Sequence, residues 1–283
     1  MTMIAKSTEA PALDLALKTL WGASRWPGLA EGEVVLTHPS WQEAYRRLDQ
    51  LASVRASGVL HGANGVGKST LLHRWSERLS VRQYRILRMA HGSLMSSDLL
   101  RHLVTLGGKT AMYRKGDNVR ILTELWSEWA PAWPIVIIEE AQDLAIAALE
   151  ELRLLTCARA DATPPFSLIL CGDDELLGRL ELNVNRALVS RLGFCLHLER
   201  WPAESFCAYL HQRLAEVGIH SSPFEPAAET LLLQAAQGLP RTLNALLQRA
   251  MEQAASANRR VVTSADVQRA LDALPWLARA RPT

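Results

Sequence analysis

Gly62-Ala63-Asn64-Gly65-Val66-Gly67-Lys68-Ser69 is the stretch on which the reading of this chain turns. It has the form G-x-x-x-x-G-K-[ST], a phosphate-binding loop. Such a loop needs a buried strand before it, and Val59-Leu60 after Ser57-Gly58 supplies a short apolar run. It needs a helix after it, and Leu71, Leu72, Trp75 and Leu79 fall on one helical face. The glycines let the backbone turn its N–H groups toward a phosphate, and the helix N-terminus adds partial positive charge. Gly62, Asn64, Gly65, Val66, Gly67, Lys68, Ser69 and Thr70 are therefore the expected nucleotide-binding residues. Lys68 is expected to reach the β- and γ-phosphates of ATP, and Ser69 to ligate Mg²⁺.

On either side of this loop, strands and helices alternate. Tyr84–Met89, the β-branched run Pro134-Ile135-Val136-Ile137-Ile138, residues 167–172 and residues 194–198 read as further strands. Helical spacing appears at Leu99, Leu100, Leu103 and Leu106, at Val119, Leu122, Leu125, Trp126 and Trp129, and at Leu149, Leu152 and Leu155. Ser40-Trp41-Gln42-Glu43 reads as a capping box opening a helix to about Val54, with Trp41, Tyr45, Leu48 and Leu51 inward. Gly107-Gly108 ends a helix, and residues 107–118 read as a polar loop. From Trp201 onward strands stop; helices are expected over about 203–217, 226–237, 241–256 and 264–274, the last capped by Thr263 and Asp266.

The predicted organisation is an N-terminal extension (1–36), an α/β domain with a five-stranded parallel sheet (37–200) and a small all-helical lid (201–283). In the extension, residues 12–20 suit a short helix, and Trp21 and Trp26 are expected to dock on the body of the protein or on a neighbouring subunit.

The totals narrow the possibilities. The chain has 283 residues, enough for one large domain and a smaller one, and its hydrophobic fraction of 48% supports a sizeable core. A net charge of +2 gives no global basicity, so any nucleic-acid site must be a local patch. Cys157, Cys171, Cys195 and Cys207 show no C-x-x-C spacing and suggest no zinc site; Cys171 and Cys195 lie in apolar runs and read as buried thiols. No signal peptide or long apolar span appears, and a soluble, cytoplasmic protein with no membrane partner is expected.

In open α/β sheets, ligands bind at the carboxyl ends of the strands. Glu139 and Glu140 fall there, directly after the 134–138 run. In phosphate-loop proteins one carboxylate at this position holds Mg²⁺ and its neighbour orients or deprotonates the attacking water, which assigns Glu139 to the metal and Glu140 to the water.

Four separated motifs together resemble one family. Residues 62–70, Ile135-Val136-Ile137-Ile138-Glu139-Glu140-Ala141-Gln142-Asp143-Leu144, Leu170-Cys171-Gly172-Asp173-Asp174-Glu175-Leu176 and Gly238-Leu239-Pro240-Arg241 look like an AAA+ ATPase of the ExeA/TniB/TnsC branch, over about residues 36–274. The resemblance implies that Asp173 is the sensor 1 residue and Arg241 is sensor 2, a cation that reports the γ-phosphate to the lid. It implies that Arg191, with Arg186 as the alternative, is the arginine finger that enters a neighbour's site and neutralises developing charge. Two residues depart from the family pattern: Glu139 stands where Asp is usual, and Asp173 where an uncharged polar side chain is common. Both bear on the hydrolysis rate, and a slow ATPase used as a timer is compatible with them.

Members of the TniB and TnsC type are transposition regulators that oligomerise with ATP on duplex DNA as rings or helical filaments, mark a target and recruit a transposase. The resemblance thus implies duplex DNA, other copies of the chain, a transposase and a target-selector protein as partners. ExeA-type relatives carry a transmembrane segment and a cell-wall-binding region after the ATPase; this chain stops at Thr283, which favours the DNA reading. The expected DNA contacts are Lys109, Thr110, Arg114 and Lys115, in the loop between the second and third strands, where Lys and Arg would bind phosphates without reading bases. The rival expectation is an ExeA-like ATPase for envelope assembly that binds protein and not DNA. A second basic pair, Arg259-Arg260, reads as a solvated turn.

Overall fold

The computed structural model describes residues 9–29, 39–90, 95–157 and 164–275. In chain order the helices are α1 (Glu9–Trp21), α2 (Pro39–Ser53), α3 (Lys68–Arg78), α4 (Ser96–Leu106), α5 (Lys115–Glu128) and α6 (Ile146–Thr156). They continue with α7 (Glu175–Leu180), α8 (Arg186–Val189), α9 (Ala203–Ala215), α10 (Pro226–Ala236), α11 (Pro240–Ser256) and α12 (Ser264–Asp272). The strands are β1 (Ser57–His61), β2 (Tyr84–Met89), β3 (Trp133–Ile138), β4 (Ser167–Gly172) and β5 (Leu192–His197). All pair in parallel, in the order β2-β3-β4-β1-β5. The expected α/β class and five-stranded parallel sheet are what the chain forms.

The described chain separates into two compact units. One is Pro39–Asn64 with Lys68–Glu199; the other is Met1–His38, Gly65–Gly67 and Arg200–Thr283. Residues 9–29 of the N-terminal lead-in group with the C-terminal helices in this second unit.

In the first unit β1, β3 and β4 are buried along their whole length, as strands covered on both faces must be. Because side chains alternate across a strand, Val136, Ile138, Leu168 and Leu170 share one face. There they join a single core with Leu103 of α4, Leu122 and Trp126 of α5, and Leu149 and Leu152 of α6. Burying each such side chain is worth about 1.5–3 kcal/mol. β5 is an edge strand and alternates differently. Its Cys195 is exposed, so the expectation of a buried thiol fails there: one side of an edge strand faces solvent. Cys171, on β4, is buried, and burial with the nearby Glu139 charge pushes its thiol up to about 12.

Helix α2 begins at Pro39, so Ser40 lies inside its first turn rather than capping it. Glu43 instead accepts from Nε and one terminal nitrogen of Arg46, at 2.8 and 2.6 Å. Proline suits a first helical turn because its missing N–H has no partner there.

In the second unit α11 is central and buries Leu243, Leu246, Leu247, Ala250, Met251 and Ala254. Trp21 Nε1 donates to the Arg260 carbonyl at 2.7 Å and so docks on this unit, and Trp26 is buried. Thr263 and Asp266 form the expected capping box at the start of α12. Arg259 is no solvated turn residue: its guanidinium forks onto both oxygens of Asp266, at 2.8 and 2.6 Å. The Asp266 side chain is fully buried.

Burial works against the Asp266 charge. The Arg259 guanidinium, with the backbone N–H and hydroxyl of Thr263, outweighs it and holds the carboxyl at about 2. A depressed folded-state value contributes stability that is present above the unfolded carboxyl range, near pH 4, and is lost as pH falls toward 2. Asp266→Asn is expected to cost about 2 kcal/mol at neutral pH. The difference from the parent chain should shrink between pH 4 and 2. Urea unfolding at several pH values checks this, and a cost that stays constant down to pH 2 would remove the linkage.

Among the described residues no helix is long and apolar enough to cross a membrane.

Candidate nucleotide site and basic loop

The carboxyl ends of β1, β3 and β4 carry the residues singled out in the sequence. β1 runs directly into the phosphate loop. Gly62 has φ +150°, and a Cβ there would lie 2.4 Å from the Leu198 carbonyl oxygen, so only glycine fits. Gly65 and Gly67 also have positive φ, +85° and +109°. The loop thus takes the turn that only a glycine-rich stretch adopts.

Lys68 opens α3 with its ammonium buried, donating to the Gly62 carbonyl at 2.7 Å and the Ala63 carbonyl at 3.3 Å. A buried ammonium held by neutral carbonyls is a cation ready for an anionic partner. Val66 is fully buried, while Asn64 and Thr70 are exposed. Within the second unit, the Arg241 N–H at the start of α11 donates to the Gly65 carbonyl at 3.2 Å. A Cβ on Gly65 would meet the Arg241 Cβ at 3.0 Å. The residue expected to sense the γ-phosphate therefore touches Gly65.

Glu139 follows β3 and is buried. Arg88 of β2 donates from Nε to its Oε1 at 2.6 Å, and from a terminal nitrogen to the Ser69 carbonyl at 2.9 Å. One guanidinium thus links the two residues expected to hold Mg²⁺, and it offsets a buried carboxylate. The buried ammonium, the glycine cradle and the carboxylate pair suit a nucleotide triphosphate with Mg²⁺.

Glu140 sits at φ +49°, ψ +42°, a left-handed conformation uncommon for a residue with a Cβ. Such strain persists where surrounding structure enforces it, often at functional sites. Gln142 supplies part of that enforcement: its Nε2 donates to Glu140 Oε2 at 2.8 Å. Its Oε1 accepts the Asp173 N–H at 3.3 Å. Asp173 in turn accepts the Glu175 N–H at 3.0 Å and Asn64 Nδ2 at 3.4 Å. Glu140, Gln142, Asp173 and Asn64 therefore form one hydrogen-bonded chain across three strand ends.

Sequence reasoning passed over Arg88, Gln142 and a histidine cluster. His61 ends β1 and His197 ends β5, paired in register, with rings stacked 4.7 Å apart at 14°. Asp174 lies 2.9 Å from His61 Nδ1. The legible signal for Arg88 was a charge one residue from the end of β2. His61 directly precedes the loop, yet its partners are distant in sequence.

Arg191 sits between α8 and β5. Its guanidinium folds back onto the Ala187 carbonyl and lies 3.0 Å from Cys157 Sγ. Arg186, at the start of α8, is exposed.

The basic loop is shorter than expected. α5 begins at Lys115, so the polar stretch 115–118 is the first turn of a helix rather than loop. The signal that misled is Gly116-Asp117-Asn118, a turn-like composition. Asn118 is buried and serves as a fastener: its Oδ1 accepts the Met112 N–H at 2.8 Å, and its Nδ2 donates to the Met112 carbonyl at 2.9 Å and the Arg114 carbonyl at 3.3 Å. The loop is thereby ordered against α4, with Arg101 lying 5.8 Å from the Tyr113 ring.

The four candidate DNA contacts separate by environment. Lys115 pairs with Glu151, a buried carboxylate, and is committed to it. Lys109 pairs at 2.7 Å with Glu128, which is exposed; such surface pairs are worth about 0–1 kcal/mol and exchange partners readily. Thr110 and Arg114 are exposed, and Tyr113 is 91% exposed.

Comparison with known proteins accords with this geometry. Residues 51–180 match the family described as AAA domain. The chain is 28% identical over 199 residues to General secretion pathway protein A of Aeromonas hydrophila, covering 68% of this chain and 36% of that protein. It thus spans about a third of the length of that curated relative. Its fold is similar to the Aeropyrum pernix ORC2 protein in ADPNP–ADP complexes, with TM-score 0.64 and 20% identity over 92% of this chain and 74% of that one. It is also similar to Aeropyrum pernix ORC1 in complex with DNA, with TM-score 0.65 and 19% identity over 91% of this chain and 72% of that one. With its five-stranded parallel sheet, its glycine-built phosphate loop and the paired glutamates after β3, the chain has the AAA+ P-loop fold and carries an ATPase domain of the AAA type over residues 51–180, similar in sequence to General secretion pathway protein A and in fold to the ORC proteins.

Proposed function

We propose that this ATPase is an ATP-switched regulator of transposition that assembles on duplex DNA, marks a target site and recruits or activates a transposase. ATP with Mg²⁺, held by Lys68, Ser69 and Glu139, favours the assembled state. An arginine from a neighbouring copy, Arg191 or Arg186, completes the site, and Arg241 reports the nucleotide to the helical lid. Hydrolysis through Glu140, aided by Asp173, releases the assembly, whose form is a ring or a helical filament.

The observation that carries the DNA part is the ordered basic loop. Arg114 and Lys109 are presented on a segment pinned by Asn118, so little ordering entropy opposes a phosphate contact. The ORC1 neighbour in complex with DNA supports the same reading at the level of fold. The relative in general secretion supports the other reading, an envelope-assembly ATPase that binds protein and not DNA. The two part on one experiment: DNA binding with ATP, ADP and no nucleotide, followed by particle imaging. ATP-dependent assemblies on DNA support the first; no DNA binding in any state removes it.

A narrower expectation concerns which cations matter. Lys109→Ala with Arg114→Ala is expected to weaken binding to every DNA sequence alike while ATP binding persists. The slope of log K against log salt should flatten by about 2 per bound subunit, near 0.9 per lost phosphate contact. Lys115→Ala is expected to act mainly on stability, because it strands the buried Glu151. Salt titrations of the double variant, with thermal melts of all three, check this. An unchanged slope would reject the loop.

A further inference from the structure

Away from the nucleotide site, three side chains of unlike chemistry converge among the C-terminal helices. Cys207 and His211 are four residues apart on α9, a spacing that places them on one face. Glu229, in the first turn of α10, meets them both. Its Oε1 lies 2.9 Å from His211 Nε2 and 3.7 Å from Cys207 Sγ, and the three donor atoms lie within 4.8 Å of one another.

We propose that Cys207, His211 and Glu229 form a binding site for a divalent transition ion of the zinc class. Thiol, imidazole and carboxylate are the donors zinc takes, and sulfur with nitrogen disfavours Mg²⁺ and Ca²⁺. The spacing is close to what a tetrahedral ion requires. Bonds of about 2.3 Å to sulfur and about 2.0 Å to nitrogen and oxygen hold S and O about 3.5 Å apart and N and O about 3.3 Å apart. The sulfur–oxygen distance stands near that value already. His211 must retreat by only about 0.4 Å to admit the ion, and its side chain is half exposed.

A second feature belongs to metal sites of this kind. Ser222 donates its hydroxyl to Glu229 Oε2 at 2.6 Å, which orients the carboxylate and turns Oε1 toward the cysteine and histidine. Three protein donors leave a fourth position, open on the exposed His211 side to water or to a partner's side chain. The ion would clasp α9 to α10 across the connection between them, a tie independent of ATP and of DNA. The absence of a C-x-x-C pair hid this site from the sequence, because its third donor comes from a different helix.

The test is a Co²⁺ titration of the full chain after chelation, followed by thermal melts with added Zn²⁺. The thiolate-to-cobalt charge-transfer band reads the sulfur directly, and the oxygen donors Ser69 and Glu139 at the nucleotide site cannot produce it. About one Co²⁺ per chain is expected, with the band displaced by Zn²⁺ and Tm raised by about 5 °C or more at saturating metal. Cys207→Ser should abolish the band, and His211→Ala or Glu229→Gln should weaken affinity at least about tenfold, with circular dichroism reporting an intact fold. No band in the parent chain overturns the proposal, as does a band that survives Cys207→Ser, which would place the thiolate at Cys157 or Cys195.

Discussion

Glu140→Gln is expected to lower ATP turnover by about 10²–10⁴-fold while leaving ATP bound. The amide keeps the size and shape of the side chain and removes the carboxylate proposed to take a proton from water. Gln142 would still meet it, and the left-handed backbone at φ +49° would still aim it. Glu139, held by Arg88, is untouched, so the metal side of the site stays as it was. If hydrolysis is what releases the assembly, the variant accumulates as ATP-loaded oligomers on DNA. Single-turnover hydrolysis with a bound-nucleotide assay and imaging separates these effects. Normal turnover in this variant would take the base role from Glu140.

Lys68→Ala should act one step earlier. The Lys68 ammonium is buried against the loop's own carbonyls, with no acidic partner within ion-pair distance among the described residues, so the charge is available to phosphate. Removing a cation aimed at the transferred phosphoryl group typically costs about 10²–10³-fold. Here both ATP affinity and turnover are expected to fall, and with them any ATP-dependent assembly. The two variants therefore diverge: Glu140→Gln traps the assembled state, and Lys68→Ala never reaches it. Fluorescent-nucleotide binding, with circular dichroism to confirm folding, tests this. Retained ATP affinity would mean that the loop backbone and Arg241 carry the binding.

Much of the architecture was open to a reader of the chain. β2 and β4 fall where apolar runs between breakers placed them, and the four C-terminal helices lie within a residue or two of their expected bounds. These signals are local: strand runs, helical spacing and caps such as Thr263 with Asp266 act within a few residues. The errors were local signals that compete. Gly116-Asp117-Asn118 has a turn's composition yet opens α5, because Asn118 finds better partners in the preceding loop than in water. Cys195 has a core residue's neighbours in sequence yet lies on the open side of an edge strand.

The glycine turns of the phosphate loop and the placing of the glutamate pair after β3 were written into the sequence on their own. Each is a short contiguous motif whose chemistry depends on backbone shape and residue type alone. Tertiary structure alone decided which charges are committed and which are free. Arg88 is bound to Glu139, Lys115 to Glu151, and Arg259 to Asp266, while Arg114 stays exposed. It also decided that Cys207 and His211 meet Glu229. An ion pair or a ligand cluster is defined by distances through space. The chain brings those residues together only after the sheet and helices have packed, so no spacing along the sequence encodes them.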